Sequence, residues 1–411
     1  MNTSLKAYEP IVGVSALKQL RQLAAGLSGC RVVHVNSTPR GGGVAEILSW
    51  MVPLMKDLGI DASWEVIRGD ETFFKVTKAM HNGLQGQPVE MSGKDTRTYL
   101  ETNEANVKRL RDKLEAADFV FIHDPQPASL LKLCTGRKGK WVWRCHIDLS
   151  RPHRPVWKFL RSLVEPYDAS IFSMTEFSQQ LPHPQFIIRP SIDPLNDTNR
   201  QLDPHEIEAI VTSYGVDRLR PLLVQVSRFD RFKDPVGVIK MFHMVSQVAR
   251  VQLVLAGGGA EDDPEGDAVY REAKDEANNH PDIHVLQLPN DAHTSINALQ
   301  RAADIVLQKS TREGFGLTVA EALWKGKVVI GGDTGGIRMQ VHNYHTGFLV
   351  NTAEGAAHRI RYLLRNQELM REMGTKGREF VRENFLLTRH LREYLTLMNG
   401  LRKGLDKELL V

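Results

Sequence analysis

The chain reads as an α/β protein made of two doubly wound, Rossmann-like domains facing each other across a cleft. Three features predict this. Short, continuous apolar runs alternate with helix-length stretches along the whole sequence. Such runs mark strands buried on both faces of a parallel sheet. The alternation halts in a polar, proline-bearing stretch, Pro182 to Pro194 and then Asn196 to Pro204, and restarts beyond it. The length of 411 residues suits two to three domains. The expected domains are residues 1–195 and 205–385.

In the first half, Arg31 to Asn36 is a buried strand, followed by the turn Gly41-Gly42-Gly43 and a helix from Val44 to Leu58. Phe119 to His123, Trp141 to His146 and Ala169 to Phe172 continue the strands. In the second half, Leu222 to Val226 is a strand, then a helix runs from about Pro235 to Val248. Val251 to Leu255 ends in Gly257-Gly258-Gly259, and Ile283 to Leu286, Ala303 to Gln308 and Val328 to Ile330 complete the series. Leu387, Leu391, Tyr394, Leu395 and Met398 fall on one face of a final helix.

Composition narrows the class. Lys and Arg number 53 against 49 acidic residues, and the basic residues form no block, so no nucleic-acid partner is expected. No apolar run approaches the roughly 18–20 residues that span a bilayer, and the first residues show no secretory leader. Cys30, Cys134 and Cys145 lack metal-ligand spacing and are expected to be reduced, buried thiols of a cytoplasmic protein, with Cys145 as an alternative reactive thiol.

The chemistry concentrates in Arg312-Glu313-Gly314-Phe315-Gly316-Leu317-Thr318-Val319-Ala320-Glu321. A short strand precedes this segment, and Leu317 to Trp324 reads as a helix. Glu313 therefore sits at a strand end beside the bare amides of a helix N-terminus, with Glu321 two turns on. Such amides bind phosphate or sugar oxygens, and a carboxylate accepts from sugar hydroxyls. Gly314, Phe315, Gly316 and Leu317 would serve the diphosphate of a nucleotide sugar, Glu313 a sugar hydroxyl and Glu321 the ribose diol. Departure of a nucleoside diphosphate builds negative charge, which needs a metal or fixed cations. The sequence has no Asp-x-Asp triplet. Arg228 and Lys233, which follow a strand, can act without a metal, with Arg231 as a third candidate. His146 and His123 end two strands on the presumed cleft side. Asp124, Gln126 and His81 are candidates for an acceptor pocket.

The Glu-seven-Glu spacing with its glycine-flanked turn resembles the signature of retaining nucleotide-sugar glycosyltransferases with the GT-B fold. His34 to Thr38, Gly41 to Leu48, His123 to Pro127, Trp143 to Ser150, Ser191 to Pro194 and Val226 to Asp230 together resemble one branch, the trehalose glycosyltransferring synthases of glycosyltransferase family 4. The resemblance spans about residues 9 to 400. It implies transfer of glucose from an NDP-glucose (UDP-, ADP- or GDP-glucose) to free glucose, reversibly, giving α,α-trehalose with retention. It implies Arg228 and Lys233 on the leaving diphosphate, Gly42 and Gly43 near the diphosphate and transferred sugar, and Gly257 near the nucleotide. It also implies His146 on a sugar hydroxyl. No side chain stands out as a base, which fits family mechanisms in which the leaving phosphate takes the acceptor's proton. Further implications are a C-terminal helix, 386–411, returning to the first domain, closure on substrate, a homodimer, and no required cofactor or metal. The segment Gly331-Gly332-Asp333-Thr334-Gly335-Gly336 departs from the family pattern by extra glycine and an extra acid.

Other readings of the same residues are a retaining trehalose phosphorylase, another retaining transferase making sucrose or a glycan, and a catalytically silent nucleotide-sugar binder. An NAD-dependent oxidoreductase lacks support because the Gly-x-Gly-x-x-Gly fingerprint is absent.

Overall fold

The computed structural model describes residues 4–40, 42–258 and 266–404. Gly41 and Gly259 of the two expected glycine turns, and the last residues of the expected C-terminal helix, lie outside the described residues. The chain forms two compact units. One comprises the chain up to Pro190 together with the segment from Leu387 onward, and the other runs from Ser191 to Leu386.

The first unit is a parallel sheet of six strands among the described residues. They are β1 (Arg31–Asn36), β2 (Asp61–Val66), β3 (Phe119–His123), β4 (Lys140–Arg144), β5 (Ala169–Phe172) and β6 (Gln185–Ile187), in the order β2-β1-β3-β4-β5-β6. The order reverses direction between β1 and β3, and the crevice beyond the carboxyl ends of such a pair is where doubly wound sheets bind ligands. The helix Leu387–Arg402 covers one face of this sheet. Its Tyr394 ring lies 5.0 Å from Phe121 and 6.0 Å from His34. Leu387, Leu391, Leu395 and Met398 are buried beside it, so the predicted apolar stripe is the packed face.

The second unit repeats the plan with β7 (Leu222–Val226), β8 (Gln252–Gly257), β9 (Ile283–Gln287), β10 (Ile305–Gln308), β11 (Val328–Gly332) and β12 (Gly347–Val350). Their order, β12-β11-β10-β7-β8-β9, is that of a dinucleotide-binding sheet, with its reversal between β7 and β10. Leu223, Leu253, Ile305 and Ile330 from the strands pack with Ile239 and Phe242 of the helix Pro235–Ser246. Each such buried side chain contributes about 1.5–3 kcal/mol by leaving water.

Two boundaries differ from expectation. The polar stretch after residue 190 is not a solvated linker. Ile192 N–H donates to Phe385 O at 2.9 Å. Asn297 and Arg301 bind the carbonyls of Asp197, Asn199 and Arg200, tying these residues into the second unit. The expected boundaries at 195 and 205 therefore move to Pro190/Ser191. The strand expected through His146 ends at Arg144. There Asp124, in the left-handed region at φ 65°, turns its carboxylate to accept from His146 N–H at 2.7 Å.

Candidate active site

In the second unit, β7 and β10 deliver their loops side by side at the sheet reversal. Lys233, in the turn Arg231–Lys233 after β7, donates through Nζ to Glu313 Oε2 at 2.5 Å. Both side chains are largely buried, at 15% and 10% exposed. Ser310 Oγ and Gln308 Nε2 donate to the same oxygen at 3.1 and 3.4 Å. Thr318 Oγ1 donates to Gln308 Oε1 at 3.0 Å, which orients the amide. Every hydrogen bond to the Glu313 carboxylate among the described residues therefore reaches Oε2. None of these bonds uses Oε1.

Glycine sets the shape around Glu313. Gly316 caps the helix Leu317–Trp324 in the left-handed region, at φ 83°. Its bare Cα lies where a Cβ would come within 3.3 Å of Glu313 Cγ. A Cβ on Gly335, at φ 43°, would fall 1.7 Å from Glu313 O, and one on Gly336 2.4 Å from Phe315 Cα. Gly336 N–H donates to Glu313 O at 3.2 Å. Gln340, fully buried, clamps the carbonyls of Phe315 and Gly336 at 2.7 and 3.2 Å. The unusual glycines of residues 331–336 thus let this loop lie directly against the glutamate's backbone. The extra acid there, Asp333, pairs with Arg338 at 2.6 Å.

The remaining predicted residues of this unit fall into distinct settings. Arg228 extends beyond β7, 39% exposed, 3.7 Å from Asp230. Arg231 forms a bidentate pair with Glu272 at 2.7 and 3.0 Å. Phe315 buries its ring against Phe385, 5.4 Å away, so only its backbone faces the turn. Glu321 is buried, with Gln300 Nε2 at 3.5 Å from Oε2. Gly257 is required by packing, since a Cβ would strike Ser227 O at 1.8 Å. Sequence reasoning missed Lys309, which pairs with Asp234, as well as Gln308, Ser310 and Gln340. The signal for Gln308, Lys309 and Ser310 was their place at the end of β10 and directly after it; nothing local marks Gln340.

In the first unit, three histidines form a line from β1, past the end of β3, to just beyond β4. His34 Nδ1 lies 3.1 Å from His123 Nε2, and His123 Nδ1 lies 3.0 Å from His146 Nε2. Burial holds His34 down to about 3. Burial, then neighbouring His146, holds His123 well below the usual histidine range. Burial, then the Arg144 guanidinium, does the same to His146. All three are neutral near pH 7. Asp124 is pushed up to about 7 by burial, against the opposing pull of the His146 N–H and Arg144.

Of the other expected residues here, Gln126 keeps a buried Oε1 with no partner among the described residues. His81 lies half-buried in the last turn of the helix Glu71–Leu84. Gly42 caps the helix Gly43–Asp57 with extended backbone and no side-chain cap, and a Cβ there would meet nothing within 4 Å. Cys145 is buried, and burial pushes its thiol well above the usual value. Among the described residues no three His, Cys, Asp or Glu side chains are grouped to hold a metal. No described helix is long and apolar enough to cross a membrane.

Comparison with known proteins gives a consistent result. Residues 34–179 match the family described as trehalose synthase, N-terminal domain, and residues 206–380 match glycosyl transferases group 1. Trehalose synthase of Pyrococcus horikoshii is 44% identical over 97% of this chain and 96% of its own length. Trehalose synthase of Rubrobacter xylanophilus is also 44% identical, over 96% of each. Among solved structures, an α,α-trehalose-phosphate synthase from Burkholderia xenovorans superposes with a TM-score of 0.73 at 14% identity, covering 90% of this chain and all of that one. A sucrose-phosphate synthase from Thermosynechococcus elongatus gives 0.72 at 16% identity, covering 91% and all. The fold is therefore GT-B, and the chain belongs to the trehalose synthase family of glycosyltransferases.

Proposed function

We propose that the protein transfers glucose from an NDP-glucose to free glucose, with retention, to give α,α-trehalose and the nucleoside diphosphate, and that the reaction runs in both directions. The observation that carries this reading is the Glu313 carboxylate, tied through Oε2 to Lys233 and left with Oε1 for a sugar hydroxyl. Trehalose synthases supply the product by family resemblance.

In this reading the bond from the anomeric carbon to the diphosphate breaks, and its electron pair goes to the leaving oxygen. The acceptor oxygen bonds the anomeric carbon on the same face, and its proton passes to the departing phosphate. Lys233 and Arg228 stabilise the charge on that leaving group, helped by the amides at Gly314 to Leu317. Glu313 orients the transferred ring and Glu321 holds the ribose. Lys233 is held in place by Glu313, so little reorganisation is needed for it to meet the diphosphate. His146 contacts a hydroxyl of the transferred sugar, and Asp124, Gln126 and His81 face the acceptor. No cofactor is required.

The test is glucose release from trehalose by purified protein, with UDP, ADP or GDP in separate reactions and with inorganic phosphate in another. Release with a diphosphate supports the transferase and identifies the nucleotide. Release with phosphate alone supports a phosphorylase, the reading favoured by 28% identity to trehalose phosphorylase of Pleurotus pulmonarius over 92% of this chain, though over only 58% of that protein. Donor binding by calorimetry without turnover would indicate a silent binder.

A further inference from the structure

We propose that His34 and His123 are positioning residues that fix His146 as the Nδ1–H tautomer, so that His146 presents a hydrogen-bond donor outward from the sheet. The three imidazoles form a line, with N···N distances of 3.1 and 3.0 Å. It begins on β1, passes the end of β3 and finishes just beyond β4. This is a chain for sharing protons rather than a chelating cluster.

Neutral imidazole carries one N–H, and which nitrogen holds it is set by the partner of the other. With all three rings neutral, only two proton arrangements satisfy both contacts. In one, each ring donates from Nδ1: His34 to His123 Nε2, then His123 to His146 Nε2. The proton of His146 is then on Nδ1. In the other, each ring donates from Nε2, and the line runs backwards.

The inner end of the line decides between them. His34 is fully buried, and its Nε2 has no hydrogen-bond partner among the described residues. The ring is enclosed by Phe121, stacked at 4.9 Å, and by Tyr394. The backward arrangement would leave an N–H at that position without an acceptor. The forward one leaves only a bare lone pair, and orphaned buried donors are the rarer defect in folded proteins. At the outer end, Nδ1 of His146 takes no hydrogen bond among the described residues.

Neutrality has a structural source as well. Arg144 is fully buried on β4, with its Nε and Nη1 unpartnered among the described residues. Its charge, undiluted by a bonded carboxylate, opposes protonation of His123 and His146. His390 of the C-terminal helix faces the same cluster and is also held neutral, by burial and then by Arg389 and Arg144. The consequence for ligand choice is direct. An Nδ1–H donor takes a sugar oxygen as acceptor, and a ligand offering only a donor at that point is rejected.

Ring-15N-histidine spectra of the full-length protein test this, with the His146 signal assigned by its loss in His146→Ala. The expected wild-type pattern is a protonated Nδ1 and a bare Nε2. In His34→Leu the bias disappears and His146 becomes a mixture. His34→Asn, whose amide N–H occupies a position like Nδ1–H, restores the pattern. In the transferase assay, kcat/KM for the donor sugar falls roughly tenfold to a hundredfold in His34→Leu, the range found for partners that orient metal-bound histidines, and recovers in His34→Asn. A His146 carrying its proton on Nε2 in the wild-type protein overturns the proposal, as does an unchanged tautomer in His34→Leu. The kinetic arm rests on the transferase reading; the tautomer arm does not, so the two fail separately.

Discussion

The two sheets reverse direction in the same way and place opposite chemistry at the reversal. In the first unit a line of neutral imidazoles runs from β1 past the end of β3 to just beyond β4, with the nearby cation, Arg144, sunk in the core. In the second the β7/β10 crevice holds a formal ion pair, Lys233 with Glu313, within a cage of amide and hydroxyl donors. One topology therefore presents either a donor of fixed tautomer or a preorganised charge. The difference lies in the few residues that follow each strand. In the proposed reading the neutral imidazoles serve sugar hydroxyls and the ion pair serves the leaving anion.

Breaking the charged crevice carries the largest expected effect. Glu313→Gln lowers turnover roughly 10²–10³-fold, as loss of one preorganised electrostatic group does elsewhere, with an unchanged circular dichroism spectrum. Lys233→Ala produces a similar loss in rate. It also strands a buried carboxylate, costing about 2–3 kcal/mol in urea unfolding, somewhat below the cost of stranding a fully sealed charge. Wild-type rates in either variant would remove the pair from the mechanism.

Next in size is the glycine contact that supports the pair. Gly335→Ala combines a left-handed φ with a Cβ 1.7 Å from Glu313 O. The backbone must move, at about 1–3 kcal/mol, and the rate falls with it although position 335 carries no reacting group. A thermal melt and a transferase assay on the same preparation check both.

The neutral crevice is sharpened by pH. Asp124 has its pKa raised from 3.8 to about 7, so the folded chain holds this proton more tightly than the unfolded chain. The stability this contributes is complete below the unfolded value and is lost as pH rises toward 7. Replacing Asp124 by Asn keeps the acceptor for His146 N–H and abolishes the titration. The stability difference between wild type and Asp124→Asn should shift against the wild type by about 1–2 kcal/mol from pH 4 to pH 8, after allowance for partial exposure. A flat difference would mean that Asp124 ionises as it would in water.

The smallest effect is expected at Arg231. Its exposed pair with Glu272 contributes less than about 1 kcal/mol, and Arg231→Ala should stay close to wild type in rate. A large loss would make Arg231 a third cation of the site.

Legibility in the sequence followed burial. The central strands β1, β3, β5, β7 and β10 are continuous apolar runs and were readable within a residue or two. Asp61–Val66, Gln185–Ile187 and Gly347–Val350 were not read, and all three are edge strands. An edge needs burial on fewer sides, so Asp61 and Glu65, or the prolines around Gln185, do not forbid it. Within the site, Glu313 and Lys233 were visible because charge beside a strand end is unusual in a sheet buried on both faces. Their contact, 80 residues apart in sequence, follows from strand order and not from any local pattern. His34 was hidden for the opposite reason: inside the run Val32 to Val35 it passes for a core residue, and only the register of β1 against β3 shows what its ring touches.

The glycine loop behind Glu313 also bears on redesign. Because Gly335 and Gly336 lie against the carbonyl of Glu313 and the Cα of Phe315, the two segments behave as one moulded surface. A library that randomises residues 331–336 to change nucleotide preference will mostly sample dislodged glutamates, and its losses will be mistaken for losses of recognition. Variation is better spent on side chains that leave this contact alone, or on both segments together.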